Sequence, residues 1–315
     1  MSPQPRPRLA PGLRSAPSLI VGLWLLIAAP AVAGPWTRDR GHAFLSLAYS
    51  RIAADQIYGA DFSRQTLGAR YEQHALQAYA EVGLVDRFLT ASFESQLFRY
   101  NTLLSQGATY GLGDMRLALW SGLVTRPLRL SAAFLVGIPS GDPAPLSTAD
   151  DEAALIARSL PTGDGEVDFE PRLSLGYSFG GVRRWPLQHY VVAEAGYWIR
   201  TAGRARDPNG RFFTTDFADA FTYRAELGSK LPFPFIERFW FILRLMGVES
   251  FASDLAASFT CATGLGNGVT YTAYGFEIAG RIVRGLGANL GLDGAFRARC
   301  VAAAPNLKLG LTYEF

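Results

Sequence analysis

The chain has 315 residues and a formal net charge of +3 at pH 7; 49% of its residues are hydrophobic and 18% are charged. So small a charge, part of it close to the N-terminus, excludes any argument for a nucleic-acid partner. The same proportions would suit a soluble protein, so the class of the protein has to be read from the order of the residues.

The first 33 residues have the three parts of a secretory signal peptide. Arginines open the segment, an apolar run follows at 19–29, and small residues precede Gly34. The run is shorter than the roughly 20 residues that a spanning helix needs. We therefore predict that 1–33 is a cleaved signal peptide and that the mature chain covers 34–315; the alternative is an uncleaved anchor helix.

From about residue 41 onward, apolar and polar residues alternate with a period of two in segments of about ten residues. This alternation is typical of strands with two different faces. The predicted strands, twelve in number, cover 41–51, 73–84, 88–99, 113–123, 128–138, 168–179, 189–200, 217–229, 238–250, 270–282, 286–298 and 306–315.

The connections between these segments alternate between short and long. The turns at 84–87 and 124–127 are tight, whereas the connections at 139–167 and 251–268 are long. Bacterial outer-membrane barrels have short periplasmic turns, long extracellular loops and an even number of strands. We therefore predict an all-β fold: one transmembrane antiparallel up-and-down β-barrel of about twelve strands, covering residues 34–315 and located in the bacterial outer membrane.

Aromatic residues with lipid-facing parity fall near both ends of the predicted strands. Two such belts are expected where amphipathic rings lie among the lipid headgroups. The predicted outer belt is Tyr49, Phe169, Tyr197, Phe221, Tyr274 and Phe296, and the predicted periplasmic belt is Tyr177, Phe179, Phe239, Phe241, Tyr313 and Phe315. The last strand ends on Phe315 and has to pair with the first, because an unpaired strand edge is too costly within lipid.

The opposite parity collects charges of both signs, so no preference for cations or anions is predicted. Two interpretations stay open: a ladder of Arg–carboxylate pairs that braces a narrow barrel, and charges that line a polar permeation path. The candidate lumen-lining residues are Glu94, Arg129, Arg172, Glu194, Arg224, Glu226, Trp240, Arg244, Met246, Glu277 and Asp293.

The predicted strand at 238–250 differs from the others because its inward set, which includes Trp240 and Met246, is as apolar as its outward set. An apolar wall suits a hydrophobic solute. The alternative is that the wall packs against another part of the chain, either 34–40 as a plug or an infolded 139–167 loop.

Several stretches resemble the outer-membrane family named for the MetA pathway of phenol degradation. They are YGLGDMRLAL at 110–119, PSGD at 139–142 and LPTGDGEVDFEPRLSLGYSF at 160–179, and GLVDR at 83–87 is similar to that family's periplasmic turn. The resemblance implies a barrel related in role to channels for hydrophobic compounds, with no catalytic residues to carry over. This chain departs from the pattern by an acidic and apolar insert at 143–159.

Cys261 and Cys300 fall close to the outer ends of neighbouring predicted strands. An exported protein can keep a disulfide, and we predict one between them; the alternative is two free thiols.

Our leading functional prediction is a non-enzymatic channel or binding barrel for small, hydrophobic or aromatic molecules. It needs no cofactor, and its partners are outer-membrane lipid and a small-molecule solute. The alternatives are an outer-membrane lipid-modifying hydrolase, for which His74 and Ser95 are the candidate pair, and a closed structural barrel whose loops bind a partner. The acidic loop 139–167 is either solvated or a calcium site.

Overall fold

The computed structural model describes residues 34–104, 107–143, 160–182, 185–206, 212–231, 239–252 and 262–315. Its strands are β1 (Ala43–Tyr58), β2 (Arg64–Val85), β3 (Leu89–Leu103), β4 (Gly107–Gly111), β5 (Met115–Val124), β6 (Leu128–Ile138), β7 (Asp168–Val182), β8 (Trp185–Arg200), β9 (Gly203–Arg206), β10 (Phe212–Thr215), β11 (Ala220–Lys230), β12 (Phe239–Ser250), β13 (Thr270–Arg281), β14 (Leu286–Arg299), β15 (Val301–Ala302) and β16 (Asn306–Glu314). Among the described residues, no helix is long and apolar enough to cross a membrane.

Twelve antiparallel strands, which we call the staves, close into a barrel. Their order is β1-β2-β3-β5-β6-β7-β8-β11-β12-β13-β14-β16. The last stave pairs with the first from Phe44↔Glu314 to Ile52↔Asn306, which closes the cylinder. Strand β4 also pairs with β3, β15 pairs with the far end of β1, and β9 with β10 forms a separate hairpin. The predicted twelve-stranded barrel is confirmed.

The largest difference from the predicted strands is in the first hairpin. Strand β1 continues to Tyr58 and β2 begins at Arg64, past an irregularity in register between Ala54 and Gln56. That irregularity breaks the period-two pattern from which the strand ends were predicted. The extra length is stabilised because Tyr71 and its apolar neighbours are buried against Leu160 from a distant loop.

The outer surface of the barrel is apolar. Along β16, Leu307, Leu309 and Leu311 are 49%, 58% and 55% exposed, as expected for side chains that meet lipid. The aromatic belts lie on this surface: Tyr274 and Phe296 stack in one belt, with ring centroids 6.4 Å apart, and Tyr313 contacts Phe315 at 4.6 Å in the other.

The two ends of the barrel differ. One end carries the tight turns at 86–88, 125–127 and 282–285 together with both termini of the described chain. The rule for outer-membrane barrels assigns this short-turn end to the periplasm and the long-loop end to the outside. Residues 1–33 lie outside the described residues, so the signal peptide stays a prediction.

Residues 34–40 fold into the short-turn end, and we call this segment the N-terminal plug. Ser131 Oγ donates a hydrogen bond to the Gly34 carbonyl oxygen at 2.8 Å, and the backbone N–H of Arg38 donates to Thr90 Oγ1 at 2.8 Å. The Arg38 guanidinium is buried, contacts Glu81 and lies 3.2 Å from Glu314. The segment is therefore bound to several staves at once, which is the plug arrangement that the sequence left open.

Two segments, 160–167 and 262–269, cover the long-loop end, and we call them the cap. Thr109 Oγ1 donates to the Leu160 carbonyl oxygen at 2.6 Å, and Arg99 Nη2 donates to the Thr263 carbonyl oxygen at 2.5 Å. Leu160 is fully buried. The described part of the 139–167 loop is thus folded into this end of the barrel, whereas its packing against the 238–250 wall stays a prediction.

Candidate functional site

An alternating series of arginines and glutamates runs along the inner wall from β5 to β13, and we call it the charge ladder. Its members are, in order, Arg116, Glu170, Arg172, Glu194, Arg224, Glu226, Arg244 and Glu277. Successive nitrogen–oxygen distances lie between 2.6 and 4.0 Å, apart from the Arg224–Glu226 pair, which is in direct contact.

The register of the staves explains the ladder. Arg224 on β11 lies directly opposite Glu194 on β8, and Glu226 lies opposite Arg244 on β12. Opposite charges at facing positions of an antiparallel pair attract one another. Successive inward positions are two residues apart along a strand, so Arg172 also meets Glu170 on β7, and Arg224 meets Glu226 on β11. The ladder that the sequence offered as one of two interpretations is therefore formed by six of the predicted residues with Arg116 and Glu170.

A cavity of about 280 Å³ lies between the charge ladder and the cap, and we call it the central cavity. The ladder contributes Arg116, Arg172, Glu194 and Arg224 to its wall. The rest of the lining includes the charged Asp164 and Arg200 and the aromatic or apolar Trp198, Met246, Val248, Val269 and Tyr271.

Arg200, near the end of β8, joins both segments of the cap to the barrel wall. Its guanidinium contacts Glu166, lies 3.0 Å from Asp164 Oδ2 and donates to the Gly266 carbonyl oxygen at 2.8 Å. It also stacks on the Trp198 ring at 4.4 Å. Burial raises the pKa of Glu166 to about 7, even though the Arg200 charge acts in the opposite direction.

The Gly-rich motifs meet at the base of the cap. Asp114 Oδ1 accepts the N–H of Gly141 at 2.9 Å, and Asp114 Oδ2 accepts the N–H of Asp164 at 2.7 Å. Gly141 and Gly163 pack so closely that a Cβ on Gly141 would lie 2.6 Å from the Gly163 Cα. The repeated P-x-G-D phrase was therefore a signal for this contact, although the sequence alone did not say that the two copies touch.

The apolar wall of β12 has two parts. Trp240 and Ile242 are 5% and 2% exposed, and they pack against Tyr190 and Trp36 of the N-terminal plug. Met246, nearer the cap, lines the central cavity. Packing is thus the role of the lower wall, and only the upper wall faces open space.

The remaining candidates lie apart from the central cavity. Glu94 on β3 is exposed and opposes Arg116 in the register. Arg129 lies near the start of β6, close to the short-turn end, and Asp293 pairs with Lys308 at 2.5 Å between β14 and β16. A lumen-lining role for these residues stays a prediction.

The proposed hydrolase pair is not brought together. The Nδ1 atom of His74 is hydrogen-bonded to the Tyr49 hydroxyl at 2.6 Å, and His74 lies opposite Tyr100 in the register. Ser95 lies opposite Ala78, four positions further along β2. At about 3.3 Å per residue, this separation is too large for a nucleophile and its base.

The disulfide and the calcium site fall partly outside the described residues. Cys300 is buried in the same apolar cluster as Ala262, the neighbour of Cys261 in the chain, but Cys261 itself lies outside the described part. The disulfide therefore stays a prediction. Residues 144–159 of the acidic loop also lie outside it, and within the described ranges no group of three or more acidic, His or Cys side chains is arranged to hold a metal ion.

No protein-family model and no curated protein matches this chain. Among solved structures, an outer-membrane channel of Pseudomonas putida F1 is similar over 90% of this chain and 99% of its own, at 12% identity and a TM-score of 0.58. A mutant of the monoaromatic hydrocarbon channel TodX covers 90% and 92% at 12% identity and a TM-score of 0.45, and the KdgM porin covers 86% and 99% at 7% identity and a TM-score of 0.42.

At these identities the likeness concerns the fold. That fold is the bacterial outer-membrane barrel, and together with the apolar outer surface and its aromatic belts it confirms the predicted location in the bacterial outer membrane.

Proposed function

We propose that the protein is an outer-membrane channel or binding barrel for small, hydrophobic or aromatic molecules, which occupy the central cavity. The cavity itself is the observation that carries the proposal. An apolar cavity of about 150 Å³ is enough to hold benzene, so about 280 Å³ accommodates one aromatic ring with a substituent. The ring of Tyr271 and the side chains of Met246 and Val248 supply the apolar contacts that such a ligand needs.

A channel function also requires a route to each side of the membrane. In the described conformation the N-terminal plug lies towards one end of the barrel and the cap towards the other. Passage therefore requires movement of at least one of them. The likeness in fold to the Pseudomonas putida channel and the resemblance of the Gly-rich motifs to a hydrophobic-compound family both support this function.

The proposal is tested by filling the cavity. We expect Met246→Trp to weaken the binding of toluene or phenol to the refolded mature protein, residues 34–315, at least tenfold in isothermal titration. The matched control is Leu245→Trp, which adds the same ring one residue away, at a position that is 43% exposed on the lipid side. Equal binding by both variants and the unaltered protein would place the ligand elsewhere and remove the proposal.

The second candidate is a closed structural barrel whose loops bind a partner. It is favoured by one observation, the presence of chain segments in both ends of the barrel. Proteoliposomes distinguish the two candidates: influx of a small aromatic solute supports a channel, whereas a folded barrel that neither binds nor passes any such solute supports the structural role.

A further inference from the structure

The charge ladder contains as many arginines as glutamates, but several of its arginines are more exposed than their glutamate partners. The side chains of Arg116, Arg172 and Arg224 are 28%, 20% and 25% exposed. Their counter-charges are hidden, because the side chains of Glu170 and Glu194 are 0% and 4% exposed. Each guanidinium therefore faces the interior space, and its carboxylate partner lies against the barrel wall.

All three of these arginines line the central cavity. Two carboxylates are among the lining residues: Glu194, whose side chain is 4% exposed, and Asp164, whose side chain is 10% exposed and pairs with the lining residue Arg200. A molecule in the cavity thus meets an array of cationic donors, although the ladder as a whole is neutral.

Among the described residues, the ion pairs of the ladder leave some N–H groups of these arginines without an acceptor. Arg116 uses one nitrogen for Glu170 and another for Asp168, at 3.4 and 3.3 Å, and a guanidinium has five N–H groups to give. At Arg224, the Nε atom is buried and has no acceptor within the described part of the chain. Guanidinium donors therefore outnumber carboxylate acceptors in the lining, with Arg116, Arg172, Arg200 and Arg224 against Asp164 and Glu194.

Beside the arginines, Met246, Val248 and Tyr271 form an aromatic and apolar part of the cavity wall, and Met246 is the cross-strand neighbour of Arg224. The two parts of the wall together match a molecule with two unlike ends. The apolar end meets Tyr271, Met246 and Val248, and an anionic end is held by the guanidinium groups, whose planar fork suits a carboxylate.

We infer that the central cavity selects small aromatic carboxylates over neutral or cationic molecules of the same shape. The inference rests on the proposed function and names the substrate class of that same cavity. A carboxylate gains charge-assisted hydrogen bonds in a space partly shielded from water, where they are stronger than in bulk solvent. An ammonium of the same size meets like charges there and is rejected.

The test compares three probes of matched shape: benzoate, benzyl alcohol and benzylammonium. They are titrated calorimetrically into the refolded mature protein at pH 7.5 and fixed ionic strength. We expect benzoate to bind at least tenfold more tightly than benzyl alcohol, and benzylammonium to bind more weakly than both.

Two variants locate the effect. Arg172→Gln removes a cavity-lining charge and is expected to reduce the ratio of benzoate to benzyl alcohol affinity at least fivefold. Arg297→Gln removes the same charge from an arginine that is 48% exposed, pairs with Glu249 and does not line the cavity, and it is expected to leave the ratio unchanged. Arg172→Lys keeps the charge without the fork and is expected to give an intermediate ratio.

The outcomes separate this inference from the function on which it rests. If benzoate and benzyl alcohol bind equally, the carboxylate preference is wrong and the proposed function stands. If none of the probes binds a correctly folded barrel, the proposed function fails with it. If Arg297→Gln lowers the ratio as much as Arg172→Gln, the preference comes from the field of the whole protein, and its assignment to the cavity is wrong. The comparison of the three probes needs no variant, so the test survives if Arg172→Gln does not fold.

Discussion

At the scale of single residues, the carboxylate of Glu226 joins three neighbouring staves. It accepts hydrogen bonds from the Tyr190 hydroxyl at 2.6 Å and from Arg244 Nε at 2.7 Å, and it contacts Arg224. Its side chain is 7% exposed. Removing one member of a buried ionic group leaves the other charges buried without compensation. This destabilises a protein more than replacing the whole group by apolar residues does.

We therefore expect Glu226→Gln to destabilise the barrel by about 3–5 kcal/mol, because two guanidinium groups lose their shared counter-charge. The measurement is urea unfolding of the refolded protein in lipid vesicles, followed by the mobility difference between folded and unfolded barrels on a gel.

The control is Glu249→Gln, which removes a carboxylate of the same kind from the exposed pair with Arg297. Exposed pairs contribute about 1 kcal/mol or less, so this variant should unfold close to the unaltered protein. Similar losses in both variants would show that the ladder does not brace the barrel.

At the scale of elements, the cap is held by a close approach of two backbones. A Cβ on Gly163 would lie 2.3 Å from Asp114 Oδ1 and 2.7 Å from the Gly141 Cα. Only a residue without a side chain fits between them. The contact therefore fixes the 160–167 segment on the rim of the barrel.

We expect Gly163→Ala to loosen the cap, since the added methyl group has to push these atoms apart. The measurement is amide hydrogen exchange of 160–167, which should become at least tenfold faster. Gly68→Ala is the control, because a Cβ there would meet no atom within 4 Å. Unchanged exchange in Gly163→Ala would refute the role of this contact.

A second property of the cap is its dependence on pH. The raised pKa of Glu166, about 7 against an ordinary 4.5, means that the closed cap holds a proton that the open, solvated segment releases between these values. Closing is therefore favoured at acidic pH and loses that advantage as the pH rises through 7. Arg200, Asp164 and Asp168 act on Glu166 in the closed state.

We expect exchange of 160–167 to be slower at pH 5.5 than at pH 8, after correction for the intrinsic rate of exchange. In Glu166→Gln, which cannot ionise, this difference should largely disappear. A variant with the same pH dependence as the unaltered protein would show that another group controls the cap.

The staves were predictable from the sequence because alternation reports directly which face of a strand meets lipid. The contacts that fill the barrel were not predictable, because the two residues of each contact are polar and lie far apart in the chain. The Arg99 side chain reaches the Thr263 carbonyl, and Arg38 reaches Glu314. Neither contact follows from periodicity, which orients a side chain without naming the one it meets. The first hairpin was predicted too short for a related reason, since an irregularity of register breaks the pattern.

At the scale of the whole molecule, the barrel holds chain segments in both of its ends, with the central cavity between them. The N-terminal plug is fixed by a few contacts, among them the packing of Trp36 against Tyr190 at 5.5 Å and the buried guanidinium of Arg38. These two side chains are the points at which the barrier on the short-turn side can be weakened.

We expect the double variant Trp36→Ala/Arg38→Ala to increase ion conductance in planar bilayers, because the plug loses its apolar and ionic contacts. The control is Arg40→Ala, in the same segment, whose side chain is exposed. If the double variant conducts no more than the control, the plug is not the barrier at this end.

The position of Arg38 also ties the plug to the closure of the barrel. Its guanidinium lies between Glu81 on β2 and Glu314 on β16, and the junction of β16 with β1 is the seam that closes the barrel. Without the seam, Glu314 is not held beside Glu81, and Arg38 has one of its two carboxylate partners in place instead of both. The ionic contacts of the plug are therefore complete only in a closed barrel.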